Sequence, residues 1–480
     1  MSKDRSDGAI RRVADTYGVT LDDEAVERYA AALDATAEAL DTLEATDPED
    51  EPVTGVTEGS DAHNALRYTF SLSDGETVDG PLSDCRLGVK DNLAVAGVPM
   101  TCGSAAMSYT PEYHATVVRR LVDAGGDVGA TTNMDEFAYF TTGETCAHGV
   151  VENPAVDGAV PGGSSSGSGA AVAAGHLDAA LGSDTAGSVR IPASYCGVVG
   201  LKPTHRSVPR FGFVDLAPSL DHVGVLAESV ALAGDVFEVI AGPDRRDPST
   251  VGMPTPNVTV RDAADGTRVG VVEEALAGAD EDVRERVASA VETLEDAGVA
   301  VDRVSLPTFE AAPLALLAIT GVEFAGLLAD DGLVYGTGTG YSEGLRAALA
   351  SLDLDALGDN VTTQLLVGGG LLETRGGRHY VAAQRVREAF TREVDEALGA
   401  YEALALPTTP TTAPPFGTVT DQAAFTRTLS HTAPFNLSGN PALSVPCGTA
   451  DDQPVGCQFV TARHDESTAL ALGSVVERSS

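Results

Sequence analysis

The sequence predicts an α/β protein built on a central, largely parallel or mixed sheet that helices cover, with a small helical module ahead of it. Two repeats and the chain's size carry that expectation. Residues 86–134 and 267–307 each read strand, helix, strand, an order that favours parallel pairing with the helix as crossover. At 480 residues with 43% hydrophobic content, the chain can bury a large core.

Taken in order, residues 20–45 give the clearest helix. Val26, Tyr29, Leu33, Leu40 and Leu43 recur at three- and four-residue spacing, and Thr20 with Asp23 suggests a capping box. The acidic stretch DPEDEPVTGVTEGSDA (47–62) reads as a linker, so residues 1–62 are expected to form a helical module plus linker and 63–480 the main domain. RLGVKDNLAVAGVP (86–99) reads as a strand entering a turn, TVVRRLVDAGG (116–126) as a helix and DVGATTNM (127–134) as the next strand. TRVGVVEE (267–274), a helix across 281–297 and VAVDRVSLP (299–307) repeat the order. Residues 310–400 are helix-rich, include LLVGGGLL, and are expected to be an insertion covering one side of the core.

Composition narrows the setting. No segment reads as the ~20 apolar residues of a membrane span, and the charged N-terminus lacks the apolar stretch of a signal peptide, so a cytoplasmic protein is expected. Acidic residues number 71 against 30 Lys plus Arg, a formal net charge of -41. Such self-repulsion becomes tolerable when salt near 1 M shortens the Debye length to about 3 Å. That balance suggests an extreme halophile and argues against direct nucleic-acid binding. The six cysteines and nine histidines show no ligand spacing, so neither metal nor cofactor is expected.

Only three lysines occur, Lys3, Lys90 and Lys202. A chain that otherwise uses Arg keeps Lys where Arg cannot serve. Lys3 lies in the N-terminal tail, which leaves Lys90 and Lys202.

Serine chemistry has two candidate locations. PGGSSSGSGAAVAAG (161–175) contains a G-x-S-x-G pattern centred on Ser165, yet the preceding ENPAVDGAVPGG is broken by proline and makes a poor strand, which counts against a nucleophile elbow. LGSDTAGSVRIPASYCGVVGLKPT (181–204) holds Thr185, Ala186, Gly187 and Ser188 in a run of small residues whose backbone N–H groups can converge on a developing oxyanion, with Asp184 and Arg190 placed to brace the turn.

These stretches, with GVKDN (88–92), NMDEF (133–137), SLDHVG (219–224), HTAPFNLSGNPALSVPCG (431–448) and PVGCQ (454–458), resemble the amidase signature family of serine amide hydrolases over roughly residues 63–475. The resemblance implies a mixed sheet covered by helices on both faces. It also implies a Ser-cisSer-Lys triad, with Ser188 as nucleophile, Ser164 as bridge on a cis peptide bond and Lys90 as base. Thr185, Ala186, Gly187 and Ser188 then form the oxyanion hole, Gly187 and Ser188 being the better donors because Ala186 replaces a common glycine. Ser166 also stands where glycine is common. Ser165 becomes turn support, Lys202 structural, and Met134 and Phe137 walls of the substrate pocket. Asp135 and Glu136, being adjacent, diverge and make no metal pair.

The chemistry is self-consistent. A neutral lysine can accept the serine proton, but an ordinary pKa of about 10.4 makes neutrality at pH 7 cost roughly 4.6 kcal/mol unless burial lowers it. The expected reaction is hydrolysis of a linear carboxamide to carboxylate and ammonia through a seryl acyl-enzyme, by a free-standing amidase that pairs as a homodimer through its N-terminal helix. The rival expectation is the glutaminase component, the A subunit, of a glutamine-dependent tRNA amidotransferase.

Overall fold

The computed structural model describes residues 3–43, 49–73, 80–256, 258, 266–335 and 342–479. The chain divides into two compact units, Met1–Pro48 and Glu49–Ser480.

The first unit is a pair of helices, Lys3–Tyr17 and Asp23–Leu40. The expected single helix thus has a partner in the charged N-terminal stretch. Asp22, and not Thr20, caps the second helix by accepting from the Ala25 amide at 2.8 Å. Of the expected apolar stripe only Val26 is fully buried; Tyr29, Leu40 and Leu43 are exposed. Val26 and Ala30 are buried in this unit with Ala14, and Ser6 Oγ donates to Asp34 at 2.6 Å.

The boundary falls near residue 48 and not 62, because the supposed linker is bound into the main body. The Asp50 amide donates to Glu112 O and that of Val53 to Ala96 O. Residues Thr57–Glu58 (β1) pair antiparallel with Leu66–Leu72 (β2). The remaining strands are β3 (Arg86–Lys90), β4 (Asp127–Thr132), β5 (Ala179–Asp184), β6 (Val199–Lys202), β7 (His222–Ala227), β8 (Arg268–Val272), β9 (Ala300–Val304), β10 (Ala403–Pro407), β11 (Ala442–Ala450) and β12 (Gln453–Thr461). They form one twelve-stranded sheet in the order β1-β2-β4-β3-β5-β7-β6-β11-β12-β10-β8-β9. Both predicted strand–helix–strand repeats are parallel pairs, β3 with β4 and β8 with β9, within a mixed sheet.

Strand residues alternate between two cores, as a two-faced sheet requires. On β10, Ala403 and Ala405 face one core, while Leu404 and Leu406 face the other. Helices Thr116–Asp123, Val230–Ile240, Glu281–Asp296 and Glu466–Glu477 cover the first face. Helices Arg190–Cys196, Ala312–Ala329 and Arg378–Leu398 cover the second.

One expectation fails on composition. Phe309–Ala329, with a mean hydropathy of 1.8, is long and apolar enough to cross a membrane. Leu316 and Ile319 of this helix lie in the core of the second face, and Phe324 packs in a further buried cluster with Phe137 and Tyr139, so its apolarity is that of a core helix. The glycine run of LLVGGGLL lies on helix Asp359–Arg375, where a Cβ on Gly368 would stand 1.9 Å from Gly321 O. Glycine there lets the two helix backbones touch.

Candidate active site

Strand β3 carries Lys90 on its last residue, fully buried. Its Nζ is hydrogen-bonded to Ser164 Oγ at 2.7 Å and Ser183 Oγ at 2.8 Å. Asn92 Nδ2 donates to the same Ser183 hydroxyl at 3.2 Å. Burial pushes the Lys90 pKa down to about 7, against the opposing pull of Asp135 and Asp184. The amine is therefore close to half neutral at neutral pH.

Ser164 follows Gly163 through a cis peptide bond. Gly163 is required by space, since a Cβ there would stand 1.9 Å from Asp135 Oδ2. Asp135 accepts from the amides of Gly143 and Thr145 and from Thr145 Oγ1, so NMDEF fastens the neighbouring loop. Glu136 turns away to Ser104 Oγ and the Gly358 amide, the expected divergence. Ser165 joins three segments: its amide donates to Ser188 O at 3.2 Å, while its hydroxyl donates to Ser183 O and accepts from the Ser183 amide. These bonds draw the serine loop onto the loop that carries Ser188.

Ser188 is buried and sits between β5 and helix Arg190–Cys196, in a strand–loop–helix turn. Asp184 at the end of β5 organises that turn. Its carboxylate accepts from the Gly187 amide at 2.8 Å and the Val189 amide at 3.2 Å, and is clamped by Arg190 through Nε at 3.0 Å and Nη2 at 2.9 Å. Burial alone would raise the Asp184 pKa; the Arg190 charge and its hydrogen bonds overcome this and hold it near about 2.

The four backbone amides of residues 185–188 are consequently not equivalent. The Gly187 N–H is spent on Asp184, whereas the amides of Thr185, Ala186 and Ser188 have no hydrogen-bond partner among the described residues. Ala186 has no positive φ, while Gly187 takes φ +133°, so the turn needs a glycine there.

Sequence reasoning missed the brace behind this loop. Asn436 Nδ2 donates to Asp184 O and Oδ1, and Arg190 reaches Asn436 Oδ1, Thr432 O and Gln458 Oε1. Thr432 Oγ1 donates to Ala186 O, and Thr185 Oγ1 donates to Asp221 Oδ1. Those residues lie in HTAPFNLSGNP, PVGCQ and SLDHVG, motifs whose match is visible in the sequence while their task is not. Lys202 Nζ donates to the carbonyls of Pro203 and Asn440 and contacts His222 Nε2, all buried; His222 Nδ1 in turn meets Asp184 O. Its partners are those of a structural cross-tie.

Beside Ser188 lies a narrow cavity of about 20 Å³, room for roughly one water, lined by Ala138–Thr141, Thr185, Ala186, Leu216, Leu316, Leu317, Thr320, Phe425 and Leu429. Met134 and Phe137 do not line it; they are buried, Phe137 in a cluster with Phe324 and Leu216. The wall begins one residue later, at Ala138 and Tyr139. A larger groove of about 1010 Å³ between β9 and helix Glu281–Asp296 shares no lining residue with this cavity.

The profile described as Amidase matches residues 34–470. The chain belongs to the amidase family. It is 44% identical over 425 residues to the A subunit of glutamyl-tRNA(Gln) amidotransferase from Natronomonas pharaonis, covering 86% of this chain and all of that one. With the same component from Halobacterium salinarum it is 42% identical over 407 residues, covering 83% and 96%. Among solved structures it resembles that component from Thermotoga maritima (31% identity, 93% and 91% of the chains, TM-score 0.74) and one titled as an amidase (29%, 100% and 96%, TM-score 0.71). The acidic composition and the halophilic relatives agree on a halophile origin. The relatives correct one expectation: proteins this similar are subunits of a tRNA-dependent assembly, which overturns a homodimer with only a small-molecule partner.

Proposed function

We propose that this chain is the amide-hydrolysing component, the A subunit, of a glutamine-dependent glutamyl-tRNA amidotransferase. Ser188 attacks the glutamine side-chain carboxamide while its proton passes through Ser164 to neutral Lys90. The amides of Thr185, Ala186 and Ser188 receive the developing oxyanion. Collapse breaks the C–N bond, the proton returns through Ser164 to the departing amine, and ammonia leaves. Water, deprotonated along the same route, then cleaves the acyl ester and frees Ser188 and glutamate. The observation that carries this reading is 44% identity over the whole length of the Natronomonas relative. Exposed Leu366, Val367 and Leu372 on helix Asp359–Arg375 and Val381 on the next helix offer apolar surface to partner proteins. An aminoacyl-tRNA substrate system implies a cytoplasmic protein.

Two specific observations favour a second reading, a free-standing amidase. The cavity beside Ser188 has no charged lining residue to pair with the α-ammonium and α-carboxylate of glutamine. The structure titled as an amidase covers this entire chain, whereas the haloarchaeal relatives match 83–86% of it. Ammonia release decides between them, measured in about 2 M KCl to screen the acidic surface. The expected result is glutamine hydrolysis by the chain together with its partner subunits. Hydrolysis of aliphatic or aryl amides by the chain alone, with no glutaminase activity when the partners are added, overturns the amidotransferase reading.

A further inference from the structure

Away from the serines, Asp61 and His63, on the segment that enters β2, meet His176, in the turn between helix Ser166–Ala173 and β5. Their side-chain ligand atoms all lie within 4.8 Å of one another, and His176 Nε2 stands 4.0 Å from Asp61 Oδ1. The two rings are 6.3 Å apart at 52°. His63 Nδ1 and His176 Nε2 are each shielded from solvent, and neither has a hydrogen-bond partner among the described residues. Buried polar atoms are rarely left so, and here both belong to imidazoles of one cluster that also holds a carboxylate.

The Asp61 carboxylate accepts from three amides: His63 and Ala65 on Oδ1 at 2.9 and 3.1 Å, and Leu66 on Oδ2 at 2.9 Å. A carboxylate offers about four lone-pair sites, so one remains on Oδ2. The amides also hold the carboxylate in place, as outer-shell partners of metal ligands do.

We infer that Asp61, His63 and His176 form a binding site for one divalent transition-metal ion, with zinc as the best match. Two imidazoles and one carboxylate suit zinc and exclude calcium and magnesium, which take oxygen ligands. Tetrahedral coordination with bonds of about 2.0–2.2 Å puts ligand atoms roughly 3.3 Å apart, so the cluster must close by about an ångström. His176 can supply that by side-chain rotation, its side chain being 37% exposed. Water completes the four ligands. The ion ties the strand entering the sheet to the α-to-β turn that separates the Ser164 loop from the Ser188 loop, and its role is that of a clip.

The sequence gives no hint of it, because His63 and His176 are 113 positions apart and neither belongs to a ligand-spaced motif. Zinc titration of the untagged full-length chain, stripped with EDTA and kept in about 2 M KCl, tests the site by calorimetry and by thermal melt. One zinc per chain is expected, with a raised melting temperature, and both effects should weaken at least tenfold in apparent affinity in His176→Ala and in His63→Ala. Circular dichroism confirms that each variant folds; should one fail, the other decides. Absence of saturable binding at micromolar zinc overturns the assignment. So does binding of equal affinity in the folded variants, which would place the ion elsewhere.

Discussion

Replacing Lys90 by Arg tests the proton-transfer route most directly, since the change keeps a cation in a chain that otherwise prefers Arg. Lys90 is fully buried, 2.7 Å from Ser164 Oγ and 2.8 Å from Ser183 Oγ, with its pKa lowered from 10.5 to about 7. At pH 7 roughly half of the wild-type amine is then neutral. Suppose the same environment lowers an arginine by the same amount, about 3.5 from an ordinary value near 13.8; its pKa would still be about 10, leaving roughly one molecule in 10³ neutral. The supply of base falls by about three orders of magnitude, within the ~10²–10⁴ range for loss of a general base. The assay is ammonia release in about 2 M KCl under each substrate condition above, with fluorophosphonate labelling of Ser188 as a readout independent of substrate. A melt must accompany it, because arginine is bulkier than the fully buried lysine it replaces. A folded variant that keeps more than about a tenth of wild-type kcat would refute Lys90 as the base, since a purely structural cation tolerates arginine.

Three further outcomes follow from the same geometry. kcat/KM should rise about tenfold per pH unit and level off above about pH 7, the folded pKa of Lys90; a plateau first reached near pH 10 would show that the lysine is not lowered in the working enzyme. Between pH 7 and 10.5 the unfolded chain keeps this proton and the folded chain does not, so the contribution of Lys90 to stability grows with pH across that window, which denaturant melts at several pH values would register. Gly187→Ala should cost about 2–4 kcal/mol and most of the activity, because its φ is +133° and the new Cβ would stand 2.1 Å from Thr432 Oγ1. An alanine variant with wild-type melting and rate would show that the turn is not held as described.

Local pattern and residue chemistry make much of this protein legible in one dimension. Strand-like runs on either side of helix-like ones mark β3, β4, β8 and β9, and the strand–helix–strand order implies their parallel pairing. The scarcity of lysine leaves Lys90 and Lys202, and resemblance to the family's ordered motifs selects Lys90, Ser164 and Ser188. Sequence reading fails where a partner distant along the chain decides. The first helix reads as a polar tail because its few apolar positions have meaning only against Val26 and Ala30. Residues 49–62 read as a linker because acidic composition does not reveal backbone pairing with Ala96 and Glu112. Helix Phe309–Ala329 is apolar enough for lipid and is instead mostly buried within the protein, a distinction that composition does not carry.

The same limit applies inside the site. Residue type tells that Gly187 permits a turn, but only tertiary structure shows its N–H spent on Asp184, since hydrogen-bond allegiance depends on which acceptor the fold brings nearest. Asn436 lies 252 positions from Asp184 and His176 lies 113 from His63, separations over which no periodicity survives. The sequence by itself determined which atoms are chemically able to act. The folded chain decided which of them meet, because burial and close approach, which set the Lys90 pKa and the partners of every buried amide, arise only when remote segments pack together.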